Sequence, residues 1–399
     1  MPRFIHTHAG MTDRPLKIAY LCDISPLDPN LYSGGNARMY QALKRHAGEV
    51  SILSNSWHFA EPLRRLMHVL PEALNLRMRW RLHLLLGRII ARGVRRELKQ
   101  GDYDVLFCAY SIQSLTGLGP VQDIVTAFTT DATPTTYKLS EVGQSFGSFL
   151  SASRYLDPWI ASKERRILSE TDLLLLPSEW LRDGINTAFE INDNSMRVIP
   201  WGANIGAVAA SEETMLLSAD APVELLFVGR DWYAKGGPVA LEVLKSLHTR
   251  GHQARLTVLG CEPDGLEQSA SINIVPQLDK SNAEDMARFE ALFRGAHFLI
   301  NPSFESYGFA YCEASAYGLP SLSLRVGGVP VRDGINGHAL PVGSGGEDFA
   351  AVISEYLANP AAHKALRVSS RKDYEERLNW DAWGQAVTNE LRAAVDAQR

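Results

Sequence analysis

The chain is poor in the features that define several large functional classes. Its 399 residues hold four scattered cysteines, Cys22, Cys108, Cys261 and Cys312, with no CxxC and no zinc-type spacing. That excludes a disulfide framework and a thiolate metal centre, and reduced, buried thiols in the cytosol are expected. No apolar run comes near the ~20 residues that span a bilayer. Residues 1–15 hold His6, His8 and polar side chains but no apolar signal core, so the stretch reads as a loose tail without a metal role. The formal net charge of −5 gives no general attraction to nucleic acid. Neither candidate nucleotide loop carries G-x-G-x-x-G, which disfavours an NAD-dependent oxidoreductase. What remains is a globular chain, 45% hydrophobic and 21% charged, long enough for two α/β domains.

The most informative stretch is 301–318, NPSFESYGFAYCEASAYG. Phe298, Leu299 and Ile300 end a buried strand, residues 302–306 form a loop, and a helix begins near Tyr307 and Gly308 and stops at Gly318. The first turn of a helix offers unpaired N–H groups and a positive dipole end, a natural seat for phosphate. Glu305 and Glu313 would repel a phosphate and instead accept hydrogen bonds from hydroxyls. The local reading is a site for a phosphorylated, hydroxyl-rich ligand. Upstream, 223–228 (VELLFV) is a strand whose loop carries Arg230, Lys235, Gly236 and Gly237 ahead of a helix over 238–249. Arg230 offers a planar fork and Lys235 a point charge, suited to clamping a diphosphate. Solvated loop cations are the plain alternative.

The run Glu305-Ser306-Tyr307-Gly308-Phe309 with Glu313 beyond it, and the V-G-R…K-G-G pattern at Arg230 and Lys235, resemble retaining glycosyltransferases of family 4 (glycosyltransferases group 1). The resemblance implies the GT-B fold, an α/β architecture of two Rossmann-like α/β/α domains facing a central cleft. It implies an N-terminal acceptor domain over 16–201, a C-terminal sugar-nucleotide donor domain over 202–377, and a terminal helix, 378–399, returning to the N-terminal domain. By the same resemblance Glu305 contacts the donor sugar and Glu313 the ribose. Arg230, Lys235 and the backbone of Tyr307, Gly308 and Phe309 hold the diphosphate. Gly34 and Gly35 follow the first strand, 16–22, and match a glycine pair that closes over the donor phosphate; two such glycines also make an ordinary turn. Strand 123–130 ends at Thr130, where relatives often carry His. Asp131 beside it either contacts a sugar hydroxyl or the acceptor nucleophile, or caps the following turn. The Gly327-Gly328 turn stands where the family keeps one beside the donor.

Two other features admit plainer readings. Asp102-Tyr103-Asp104 spells D-x-D, but it precedes strand 104–109, and ligands of parallel sheets gather at strand C-terminal ends. No essential metal is therefore expected. Residues 61–99 are rich in arginine, with Leu82, Leu85 and Ile89 interleaved. They form either a helical region with a solvated basic face or a peripheral contact to an anionic membrane. Helices are also expected over 36–46, 154–170 and 380–395, and a polar linker or surface helix over 212–221.

The expected activity is transfer of a sugar, with retention, from a UDP- or GDP-linked donor to a hydroxyl of a sugar, glycan or lipid-linked acceptor. No cofactor and no nucleic acid partner are expected. Polysaccharide or glycoconjugate biosynthesis is the implied setting, in the cytoplasm or at the inner face of the membrane. The alternative is a non-catalytic GT-B subunit that binds a sugar nucleotide, for which Thr130 is the one supporting feature.

Overall fold

A computed structural model describes residues 14–28, 31–54, 57, 60–67, 72–145, 151–206, 208, 215–218 and 221–399. His6 and His8 lie outside these residues, as do 212–214 and 219–220 of the expected linker. Contacts divide the chain into two units: Met1–Tyr137 with Ser148–Ile199 and Trp383–Arg399, and Lys138–Gly147 with Pro200–Ala382.

The first unit is built on β1 (Leu16–Leu21), β2 (Gly48–Ile52), β3 (Val105–Ala109), β4 (Val125–Thr129), β5 (Leu173–Leu176) and β6 (Met196–Val198). They form one parallel sheet ordered β2-β1-β3-β4-β5-β6. β3, β4 and β5 are buried along their whole length, the pattern of strands covered on both faces. The helices of the first half are α1 (Gly35–His46), α2 (Glu61–Met67), α3 (Glu72–Gln100), α4 (Pro134–Leu139), α5 (Glu141–Ser145), α6 (Asp157–Ser169) and α7 (Glu179–Phe189). α3 presses Ala91, Val94 and Leu98 into a core shared with Leu106, Phe128, Leu174 and Ile185. Its other side leaves Leu85 68% exposed. Ser178 caps α7 by accepting from Leu181 N.

The second unit repeats the plan with β7 (Val223–Val228), β8 (Ala254–Leu259), β9 (Ile272–Val275), β10 (Phe298–Asn301), β11 (Ser321–Leu324) and β12 (Gly337–Leu340). The order is β12-β11-β10-β7-β8-β9, again all parallel. Its helices are α8 (Gly237–Thr249), α9 (Ala283–Arg294), α10 (Phe309–Ala316), α11 (Gly346–Ala358), α12 (Pro360–Glu376) and the start of α13 (Trp380–Gln398). The chain passes back into the first unit within α13.

Three local expectations change. The helix over 154–170 is two pieces, a 3₁₀ segment Ser151–Leu156 and then α6, with Pro158 in the opening turn of α6. Proline lacks the N–H that a helix interior needs, so the α-helix starts there. β12 is a strand that the sequence reading does not include. It has four residues, and at Gly337 an added Cβ would meet Ser321 O at 1.9 Å, so only glycine lets β12 pair so closely with β11. α5 lies in Lys138–Gly147, which groups with the second unit although it falls inside the stretch 16–201 expected to be one domain. The D-x-D acids lie at the starting edge of the first sheet: Asp104 accepts from Lys17 N at 2.9 Å and pairs with Arg399 at 3.1 Å, and Asp102 pairs with Lys17 at 2.7 Å.

Each sheet changes winding direction once. β1 lies between β2 and β3, and β7 lies between β8 and β10. Parallel α/β sheets bind ligands in the crevice outside the C-terminal ends of the strands at such a reversal.

Candidate functional site

The reversal in the second unit brings together the two loops singled out in the sequence. Loop 229–236 leaves β7 with Arg230 and Lys235, and loop 302–308 leaves β10 with Glu305. β7 and β10 pair only over Phe298–Leu225 and Leu299–Leu226 and then part. Asn301 bridges the gap with its buried side chain: its Oδ1 accepts from Val228 N at 3.0 Å and its Nδ2 donates to Val228 O at 2.7 Å. The amide thus replaces the lost ladder bonds and satisfies backbone groups that would otherwise be buried unpaired. Gly236 allows the next contact. It is left-handed, with φ 78°, and a Cβ there would lie 2.3 Å from Pro302 O.

These constraints set Lys235 against Glu305. Lys235 Nζ lies 2.9 Å from Glu305 Oε2, with the two side chains 33% and 13% exposed. Ser303 Oγ donates to Glu305 Oε1 at 2.8 Å. Glu305 Oε2 also lies beside the backbone of Gly308, which opens α10 at φ 94° and provides no side-chain cap. A carboxylate, an ammonium and an uncapped helix start therefore occupy one small volume. Arg230 is exposed on the same loop, and no ion pair of it is found among the described residues.

Buried hydrogen bonds hold the loop from below. Burial, and then the Glu305 charge, raise the Tyr311 pKa well above its usual value, so the phenol stays protonated. It donates to Asn301 O at 2.6 Å. Tyr307 OH donates to Trp201 O at 2.7 Å, and Phe309 stacks on Trp201 with ring centroids 5.8 Å apart. Tyr307 and Phe309 thus contribute backbone to the site and side chains to the packing beneath. Behind the loop, Gly328 N donates to Ser306 O at 3.0 Å and Gly327 N donates to Glu141 Oε1 of α5 at 3.1 Å.

Glu313 is buried in the second turn of α10, 2.5 Å from Lys280 Nζ. Lys280 also lies over the Phe289 ring at 4.5 Å. The second acid is therefore a paired, desolvated carboxylate and not an open one. Lys280, Ser303, Asn301 and Glu141 are site residues that sequence reasoning did not single out. Nothing in the sequence ties Lys280 to Glu313, 33 residues further on.

The remaining candidates belong to the first unit. Gly34 caps α1 in the left-handed region at φ 86°, and Gly35 begins the helix. Asp131 follows β4, near enough to Tyr110 for its charge, after burial, to raise that phenol's pKa. Thr130 is buried, and its hydroxyl donates to Ala132 O at 2.8 Å. It shapes the turn that carries Asp131.

Comparison with known proteins agrees with this layout. A family model described as Glycosyltransferase Family 4 matches residues 36–206, and one described as Glycosyl transferases group 1 matches residues 222–359. The D-inositol 3-phosphate glycosyltransferase of Saccharomonospora viridis is 27% identical over 259 residues, covering 59% of this chain and 59% of the relative. That of Rhodococcus opacus is 26% identical, covering 58% and 55%. The chain thus spans under two thirds of the length of these relatives. Sucrose-phosphate synthase of Thermosynechococcus elongatus superposes with a TM-score of 0.62 at 19% identity, covering 96% of this chain and all of that one. Anabaena HepE, solved with UDP and glucose, gives 0.60 at 13% identity, covering 94% and 99%. At such identities the likeness to the two solved structures is one of fold.

Proposed function

Because the chain belongs to the family 4, group 1 glycosyltransferases and has their GT-B type of fold, we propose that it transfers a sugar from a nucleotide diphosphate donor to a hydroxyl acceptor with retention. The observation that carries this reading is the meeting of Lys235, Glu305 and the uncapped start of α10 at the winding reversal of the second sheet. Lys235 and Arg230, with the backbone N–H groups of Gly308 and Phe309, bind the diphosphate and stabilise the charge it gains on leaving. Glu305 accepts from hydroxyls of the donor sugar and Glu313 from the ribose, each giving up part of its bond to a lysine.

In the proposed step the bond between the anomeric carbon and the diphosphate oxygen breaks. The acceptor oxygen bonds to the same face of that carbon, and its proton passes to the departing phosphate. Asp131 orients the acceptor hydroxyl. The step needs no metal, and the donor is UDP- or GDP-linked. The basic helices α2 and α3, with Leu66 and Leu85 more than 60% exposed, would meet an anionic membrane when the acceptor is lipid-linked. Flotation with liposomes, with and without anionic lipid, tests that contact.

The central test is thermal stabilisation by UDP, GDP, ADP and their sugar conjugates, with and without Mg²⁺, followed by donor hydrolysis. A ligand at a hundred times its dissociation constant adds roughly 2.7 kcal/mol. One nucleotide series stabilising without metal, with slow hydrolysis of its sugar conjugate lost in Glu305→Ala, is the expected result. Binding without turnover on any acceptor would favour the non-catalytic sugar-nucleotide subunit instead. No binding across the series would remove the site.

A further inference from the structure

The first unit has its own winding reversal, between β1 and β3, and of the acids gathered there only Asp131 is a candidate residue of the sequence. β1 and β3 pair from Ile18–Val105 to Leu21–Cys108, and the chain then leaves both strands. Asp23 N donates to Ser111 Oγ at 3.1 Å, tying the two exits together. The Asp23 carboxylate accepts from Tyr32 OH at 2.8 Å and from Gln113 Nε2 at 3.2 Å. The Tyr32 and Tyr110 rings stack with centroids 4.2 Å apart and planes within 7°. Both tyrosines have left-handed backbone, φ 51° and φ 60°, a conformation that L side chains rarely adopt. Such conformations persist where the surroundings hold them and cluster at ligand sites. Asp131, from the next strand, acts electrostatically on Tyr110.

We infer that this crevice, lined by Asp23, Tyr32, Tyr110 and Gln113, binds an uncharged, polyhydroxylated ring such as a cyclitol or pyranoside, in preference to a phosphate monoester. Four features carry the choice. The crevice lies at the C-terminal ends of the strands, where the winding reverses, the place parallel sheets reserve for ligands. A carboxylate only accepts hydrogen bonds, so a ligand touching Asp23 must donate, as hydroxyls do. Two carboxylates, Asp23 and Asp131, act on this small region and repel a phosphate dianion. The stacked tyrosines add flat apolar area beside the polar groups, matching a ring with hydroxyls on its edge and C–H on its faces. As the acceptor, this ligand deepens the function proposed above and rests on it.

The test is saturation-transfer NMR on the full chain with myo-inositol and the methyl glycosides of glucose, mannose and galactose. The comparison ligands are myo-inositol 1-phosphate and glucose 6-phosphate. At least one neutral ring should receive transfer, with the phosphate esters at least tenfold weaker. Asp23→Asn and Gln113→Ala should each reduce the neutral signal at least fivefold while far-UV circular dichroism stays that of the native chain. No transfer to any neutral ring, equal transfer to the phosphate esters, or a signal that survives in both variants would overturn the inference. UDP affinity measured on the same samples separates the two readings. UDP binding without ring binding sinks this inference alone, and ring binding without UDP binding sinks the donor site alone.

Discussion

Replacing Gly327 by alanine should damage the candidate site without touching any of its charged groups. Gly327 has φ 61°, and an added Cβ would stand 1.8 Å from Glu305 O and 3.0 Å from Val142 Cγ2. The left-handed backbone alone costs alanine roughly 1–2 kcal/mol. At about 2–4 °C per kcal/mol for a unit of this size, the melting temperature falls by roughly 2–8 °C. The overlap acts in addition. An ordinary contact requires the Glu305 carbonyl to retreat by roughly an ångström or more, and a misplacement of about 1 Å can cost ~10²-fold in rate. Retreat of the carbonyl carries the carboxylate away from Lys235, now 2.9 Å distant.

Gly334 is the control. It is equally left-handed, at φ 69°, but a Cβ there meets nothing within 4 Å. Gly334→Ala should therefore show only the backbone cost and bind the nucleotide normally. Gly327→Ala should melt lower than Gly334→Ala and lose ~10²-fold in donor hydrolysis. Thermal melts and UDP titrations of both variants decide it. If the two behave alike in stability and nucleotide affinity, the packing of Gly327 does not position Glu305.

Other consequences concern the paired acids and buried titrating groups. Lys280→Met removes the partner of the buried Glu313 carboxylate; because Lys280 is 38% exposed, the loss should be about 2 kcal/mol, below the ~3–5 kcal/mol of fully buried pairs, read by urea denaturation. Lys235→Met leaves Glu305 without its cation and should weaken UDP binding by roughly 10–100-fold, the ~1.5–3 kcal/mol of a charged hydrogen bond, measured by calorimetry. In the second unit, burial lowers His297 and His363 from 6.5 to about 4. The unfolded chain therefore binds more protons between those values, and this unit should lose stability as pH falls from 6.5 toward 4. In the first unit, burial first raises Glu164 from 4.5 to about 7, against hydrogen bonds from Thr135. Here the folded state binds the extra proton, so stability falls as pH rises from 4.5 through 7. Glu164→Gln should stabilise this unit progressively over that window, by up to about 3 kcal/mol at pH 8 given 1.36 kcal/mol per pKa unit. A stability difference between Glu164→Gln and wild type that does not change with pH would refute the assignment.

Much of the architecture was legible in the sequence because buried parallel strands are nearly uninterrupted apolar runs. VELLFV at 223–228 announces itself, and β7 begins and ends where expected. Gly318 marked the end of α10 because a left-handed residue, here at φ 61°, closes helices. β12 was missed because four residues, GHAL, carry too little apolar pattern to stand out from a turn. α4 and α5 were missed for the same reason: they have six and five residues, and tertiary contacts hold them.

The sequence by itself determined the residue types of the candidate site, the two Rossmann-like repeats and the glycines without which the loops could not turn. Those follow from local chemistry: spacing, cap preference and φ. Only the tertiary structure decided that Lys280 pairs with Glu313, that Asn301 stitches β7 to β10, and that Asp23, Tyr32 and Gln113 meet. The physical reason is strand order. Where a sheet reverses its winding, strands 73 residues apart, as at Asn301 and Val228, become neighbours, and no periodicity along the chain records which loops then face each other.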